Sequence, residues 1–137
     1  MPGFAAFERE HLEGVLALCE QEGWGTLPAD PERAARALTA PGVVTTVALE
    51  GHAVVGFAQM LSDGQVAAYL ALLVVADGYR HRGIGRGLVE DCFRRSGAIR
   101  VDVLADTESD EFYHRFRHRS LPGFRLYPLV AAPDTNP

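Results

Sequence analysis

Residues 69–95 read YLALLVVADGYRHRGIGRGLVEDCFRR. Leu70 to Val75 is an apolar run without proline, the pattern of a central strand covered on both faces. Ala76-Asp77-Gly78 breaks the run, and Gly83, Gly85 and Gly87 then alternate with Ile84 and Arg86. Beyond them Ile84, Leu88, Cys92 and Phe93 recur at helical spacing, while Arg86, Glu90 and Arg94 fall on another face. The stretch therefore predicts a buried strand, a turn, a glycine-spaced loop and an amphipathic helix.

Such a loop is an anion site. The first amides of a helix have no intrahelical partner, and the helix dipole adds partial positive charge there. Glycines let a ligand come close to the backbone. Arg80, Arg82 and Arg86 place cationic donors around the same turn. A kinase-type phosphate loop requires a lysine, and the chain contains none. A dinucleotide fingerprint requires a third glycine where Leu88 stands. Asp102, the acid that would meet a ribose, falls inside the next strand between Val101 and Val103. A nucleotide-dependent oxidoreductase is disfavoured on both counts.

Arg80-His81-Arg82-Gly83-Ile84-Gly85 fits the Gln/Arg-x-x-Gly-x-Gly/Ala signature and resembles the GNAT superfamily of N-acetyltransferases. The approach Val75-Ala76-Asp77-Gly78-Tyr79-Arg80 is similar to the family's V-x-P-x-Y-R, with Asp77 in place of proline. Phe112-Tyr113 followed by Gly123-Phe124 resembles the family's F-Y-x-x-x-G-F, with a longer connection, His114 to Pro122, between the halves. Some bacterial and plant members of the serotonin-acetyltransferase-like group share a longer connection ending in an aromatic-proline pair like Tyr127-Pro128.

A length of 137 residues suggests a single domain, placed here at 1–130, with 131–137 as a loose tail. Apolar content of 47% and charged content of 23% are those of an ordinary globule. A net charge of −5 disfavours nucleic acid and anionic membranes, which want a basic surface, and suits cationic substrates. No apolar run is long enough to span a bilayer. Cys19 and Cys92 lack metal spacing and sit among apolar residues, as two buried thiols in a reducing compartment would. A cytoplasmic protein is expected, with no signal peptide ahead of the fold. The sequence leaves monomer and homodimer open.

In chain order the patterns predict a short strand at Phe4–Phe7 and a helix through Leu12, Val15, Leu16 and Cys19. A loop at Gly23–Pro28 and a helix begun by Asp30-Pro31 come next. Val43–Leu49, Ala53–Met60 and the run to Val75 form an antiparallel meander. After the organising helix come a strand at Ile99–Leu104, a helix from Thr107-x-x-Asp110 through Phe116, and a last strand at Phe124–Val130. This is the order of the GNAT fold. The resemblance implies an α/β (α+β) architecture: a mixed, mostly antiparallel central sheet flanked by helices, with one splayed parallel strand pair.

The resemblance also implies chemistry. Acetyl-CoA would lie along the central strand, its pantetheine arm on the backbone of Leu73, Val74 and Val75. Its pyrophosphate would sit on the loop from Arg80, His81, Arg82, Gly83, Ile84 and Gly85 to Arg86 and Gly87. Tyr113 would protonate the departing thiolate, a plausible task for a phenol of pKa about 10. Trp24 lies in the segment that lines the acceptor site in the family. Asp106, ahead of the last helix, is the acid most free to face an amine, whereas Asp110 best fits a helix-capping role. Glu20, Glu22, Tyr69 and Asp106 are all conceivable bases. His114 and His118 stand four apart, but Arg115, Arg117 and Arg119 interleave and would repel a divalent cation, so no metal is expected. The function implied is transfer of an acetyl group to a primary amine, a small cationic one on the charge balance. The alternatives are another acyl-CoA or a protein N-terminus as substrate, and a non-catalytic acyl-CoA-binding regulatory module.

Overall fold

A computed structural model describes residues 2–131. Residues 2–103 form one compact unit, and the chain from Leu104 onward forms a second. Apart from Ala131, the expected tail lies outside the described residues.

The first unit is a five-stranded sheet in the order β1-β2-β3-β4-β5. Its strands are β1 (Gly3–Ala6), β2 (Val43–Glu50), β3 (Ala53–Ser62), β4 (Ala67–Val75) and β5 (Arg100–Val103). All neighbours are antiparallel except β4 and β5. Helices α1 (Leu12–Gln21) and α3 (Pro31–Thr39) carry a core of Leu12, Val15, Leu18, Cys19, Ala34, Ala35 and Leu38 onto Val47, Phe57 and Val74 of the sheet. On the opposite face α4 (Ile84–Ser96) buries Ile84, Leu88, Val89 and Cys92. The alternation of strand side chains makes this division possible: Val47 and Phe57 point to one face, their neighbours Thr46, Gly56 and Ala58 to the other. Gly56 lets α4 close on the sheet, since a β-carbon there would stand 2.9 Å from Leu88 Cδ1 and 3.0 Å from the Val74 carbonyl.

The parallel pair is short, and all four residues of β5 take part in it. β4 and β5 are in register only from Ala67↔Arg100 to Leu70↔Val103. β4 runs on to Val75, paired there with β3 alone, after a register shift between Gln59 and Met60 on that neighbour. This is the mixed, mostly antiparallel sheet that the resemblance implied.

Three elements depart from expectation. Gly23–Pro28 is not all loop: α2 (Thr26–Ala29) is a single helical turn. Pro28 is its third residue, where the missing N–H costs no intrahelical bond. In the second unit α5 spans only Asp110–His114, because the carboxylate of Asp106 accepts from Ser109 N–H and delays the helix start to Ser109. The last strand is absent from Phe124–Val130. Pro128 sits in its middle and cannot donate to a ladder, and Tyr127 to Val130 instead closes a turn, Val130 N–H to Tyr127 O at 3.0 Å.

Candidate active site

The loop after β4 is built on left-handed backbone. Gly78, His81 and Gly83 have φ of 89°, 63° and 82°, and His81 is the only non-glycine with positive φ among the described residues. A histidine there is strained, and it holds because both sides of the loop are anchored. On one side Tyr79 N–H bonds to Ala76 O at 3.0 Å. On the other, Ile84 and Leu88 are buried under the sheet. Gly83 is the residue before α4. Helical bonding begins with Gly87 N–H to Gly83 O at 3.0 Å, and no side chain caps the turn. A β-carbon on Gly83 would meet nothing within 4 Å, so the residue that precedes the uncapped α4 start has open space beside it. That is the geometry of an anion site.

The arginines around it are less free than the sequence suggests. Arg80 donates through Nη2 to Glu22 Oε2 at 2.8 Å and through Nε to the Val75 carbonyl at 3.4 Å, and stands 3.4 Å from Asp77. Arg86 pairs with Glu90 at 3.1 Å. Arg82 lies over the Tyr79 ring, 5.1 Å from its centroid. All of these groups are at the surface, so each pairing is worth little to stability.

The strand leading into the loop supplies a backbone edge. Ala76 N–H donates to Val55 O at 2.8 Å. Alternation along β4 then turns the N–H and C=O of Leu73 and Val75 away from β3, on the edge that pairs with β5 only as far as Leu70. Val74 is different: its backbone groups face Phe57 in the β3 ladder and its side chain is buried in the core. Of the three residues expected to meet the pantetheine arm, the open edge therefore comes from Leu73 and Val75, and Val74 holds them in place by packing.

Gln21 and Glu22, at the end of α1, were not singled out together by the sequence. Gln21 Nε2 donates to the Val75 carbonyl at 3.3 Å and to Glu22 at 2.9 Å, while its Oε1 accepts from Asp77 N–H at 2.9 Å. No local pattern could have found these contacts, which span more than fifty residues of sequence. Next along the chain, Trp24 lines an open depression of about 470 Å³ with Glu20, Gly23, Gly25, Pro28 and Ala29, and is 39% exposed.

In the second unit Tyr113 is half-buried on α5, its ring edge-on to Phe112 at 4.9 Å, with Phe116 on the other side of Phe112 at 5.4 Å. The acids of this segment are both engaged, and Asp110 lies in the first turn of α5. Asp106, expected to be free, accepts from both Ser109 N–H and Ser109 Oγ at 2.9 Å. Those two donors, the backbone one first, hold its carboxyl below the usual carboxylate range. Asp110, expected to cap, pairs with His114 at 3.2 Å. His114 and His118 stack edge to face at 4.9 Å. Among the described residues no group of three or more His, Cys, Asp or Glu side chains is placed to hold a metal ion. Cys19 and Cys92 are buried, unpaired thiols whose pKa burial pushes up to about 11, so neither is a ready nucleophile.

The sequence model of the acetyltransferase (GNAT) domain matches residues 41–117, more than half of the chain. The chain belongs to the GNAT family. The match spans β2 through α5 and so contains β4, the loop and Tyr113. A putative acetyltransferase of Deinococcus radiodurans is 31% identical, with a TM-score of 0.73 over 93% of this chain and 88% of its own. A GNAT-family acetyltransferase of Streptococcus pneumoniae is 25% identical, with a TM-score of 0.76 over 95% and 100%. An aminoglycoside N-acetyltransferase in complex with the bisubstrate analogue CoA-S-monomethyl-acetylneamine shares the fold, at 17% identity and a TM-score of 0.77 over 96% and 99%. No curated protein matches the sequence. As a GNAT protein the chain is placed among acetyl-CoA-dependent acetyltransferases, and none of its described helices is long and apolar enough to cross a membrane.

Proposed function

We propose that this GNAT protein, working as one functional domain over 1–130, transfers the acetyl group of acetyl-CoA to a small cationic primary amine, by direct attack, with Tyr113 as general acid. The observation that carries the acyl-CoA half is the uncapped start of α4 after a strand whose outward edge has no strand partner beyond Leu70. The loop amides from His81 to Gly87, with Arg80, Arg82 and Arg86 around them, would hold the pyrophosphate. The outward N–H and C=O of Leu73 and the N–H of Val75, kept in line by Val74, would pair with the pantetheine arm. An outward amide of β4 would also polarise the thioester carbonyl, where developing negative charge is best met by a fixed donor.

In the reaction the amine nitrogen bonds to the carbonyl carbon and the carbon–sulfur bond breaks. Tyr113 gives its phenolic proton to the departing thiolate, and the proton lost by the amine leaves through a base or water. Support for Tyr113 is the Phe112-Tyr113 and Gly123-Phe124 motif, whose long connection is also what likens the chain to the serotonin-acetyltransferase-like members. Trp24 at its depression and Asp106 are proposed to meet the acceptor. The net charge of −5 supports a cationic amine, as does the shared fold of an enzyme named for aminoglycosides, which are themselves polyamines. Buried free thiols support a reducing, cytoplasmic setting. A homodimer remains the alternative to a monomer.

The test has two parts. Acetyl-CoA at a hundred times its Kd stabilises a protein that binds it by about 2.7 kcal/mol, so the melting temperature rises, and a matching rise with NAD but none with CoA would sink the reading. Tyr113→Phe then lowers kcat by about 10²–10⁴ with acetyl-CoA affinity nearly intact. Unchanged turnover with the chemical step rate-limiting would return Tyr113 to a packing role and leave the non-catalytic acyl-CoA-binding module as the better account.

A further inference from the structure

Gln21 makes a contact pattern that packing alone does not require. Its carboxamide donates to the Val75 carbonyl and accepts from Asp77 N–H, 3.3 and 2.9 Å away. The outward C=O of one residue and the outward N–H two residues on are the pair that one residue of a parallel neighbouring strand would satisfy through its own N–H and C=O. Gln21 thus imitates a strand residue on an edge of β4 that has no strand partner beyond Leu70. The imitation is held from behind. Glu22 Oε2 accepts from Gln21 Nε2 at 2.9 Å and from Arg80 Nη2 at 2.8 Å, and Arg80 Nε reaches the same Val75 carbonyl. The last turn of α1 is in this way fastened to both ends of the segment 75–80.

We propose that Gln21 is a positioning residue for acetyl-CoA that marks where the strand part of the cofactor track ends and the phosphate part begins. With the Val75 carbonyl and the Asp77 amide already taken, the groups left outward on this edge are the Leu73 N–H and C=O and the Val75 N–H. The arm is confined to those three, and past Val75 the ligand leaves the strand for the amides of the loop. Fixing Asp77 also fixes the first residue of the turn that carries His81 and Gly83 into their left-handed conformations. The same clamp joins the acyl-CoA side of the protein to the Trp24 segment, which begins two residues after Glu22.

This inference rests on the acetyl-CoA reading above, and the experiment separates the two. Wild type, Gln21→Ala and Gln21→Glu are titrated with acetyl-CoA by calorimetry, their kinetics are measured, and exchange of the Asp77 amide is followed without ligand. Gln21→Ala is expected to raise Kd and KM for acetyl-CoA about tenfold, the worth of one or two hydrogen bonds. Its kcat at saturation stays within about twofold, and the Asp77 amide loses protection in the free protein. Gln21→Glu keeps the acceptor for Asp77 N–H but turns an oxygen toward the Val75 carbonyl and adds a charge beside Glu22. It is expected to restore Asp77 protection without restoring affinity, a split that a merely structural role would not produce. Unchanged or tighter acetyl-CoA binding by Gln21→Ala, or an equal rise in KM for the amine, overturns the proposal. So does wild-type-like affinity in Gln21→Glu. Wild type that shows Asp77 protection but no acetyl-CoA binding refutes the functional reading itself, and the positioning role falls with it.

Discussion

Two helices of the first unit begin in opposite ways. At α3 the carboxylate of Asp30 accepts from Arg33 N–H at 3.1 Å, and Pro31 takes the first helical position, so the helix start is closed by its own sequence. At α4 the preceding residue is Gly83, in left-handed conformation, with no side chain to offer and open space above it. Both helices pack on the sheet, and neither needs the other's solution for stability. That the protein caps one helix with aspartate, and at α4 surrounds an uncapped start with arginines instead, supports the proposal that the first amides of α4 meet a ligand that brings the negative charge.

Exchanging the two starts gives the largest effect. Gly83→Asp would set a carboxylate among the α4 amides, as Asp30 does at α3, and it also forces a side chain onto a φ of 82°. Aspartate tolerates that region better than most residues, at a cost of order 1 kcal/mol. Acetyl-CoA affinity is expected to fall about 10²-fold, since two charge-assisted contacts at roughly 1.5 kcal/mol each are displaced and like charges now face one another. Calorimetry measures the fall, and a circular dichroism melt confirms that the fold survives. Affinity within twofold of wild type would mean that the α4 start is not the phosphate site.

The reverse change is smaller and touches stability alone. Asp30→Ala removes the cap of α3 and is expected to cost about 1 kcal/mol of unfolding free energy by denaturant titration. Acetyl-CoA affinity should not move. If it drops, the two helix starts are coupled and the comparison between them fails.

How far the chain could be read in advance follows the reach of its interactions. The strand, loop and helix from Leu70 to Ser96 were legible because an apolar run, three alternating glycines and a helical stripe are all local signals. So was the Asp30-Pro31 start, which is complete within four residues. The clamp was not, because Gln21 is an unremarkable polar residue until folding brings Val75 and Asp77 to it. Phe124–Val130 carried the composition of a strand together with its own contradiction, and Pro128 outweighed the apolar residues around it. At α5 the spacing Thr107-x-x-Asp110 suggested one cap while Asp106 supplied another, since a carboxylate three residues before an N–H reaches it as readily as a threonine does.

A third helix start, that of α5 in the second unit, sharpens the comparison with the smallest effect. Here Asp106 both accepts from Ser109 and stands as the proposed partner of a cationic acceptor, so turn-forming and attraction must be pulled apart. Asp106→Asn does so: the amide oxygen can still accept from Ser109 N–H and Oγ–H, but the charge is gone. An almost fully exposed charge contributes roughly 0.2–1 kcal/mol, so kcat/KM for cationic amines is expected to fall about two- to fivefold at low salt. The loss should shrink at high salt, where the field is screened. The pH dependence has a definite sign. Because Ser109 lowers the folded-state pKa of Asp106, any stability from its ionised form is complete above the unfolded value of about 3.9 and is lost as pH falls through the lower folded value. Between pH 5 and 8 the charge is constant, and a wild-type to Asn difference in kcat/KM that varies within this window must come from another group. Equal loss for neutral and cationic amines, independent of salt, would leave Asp106 as the residue that sets the turn before α5 and remove it from the acceptor site.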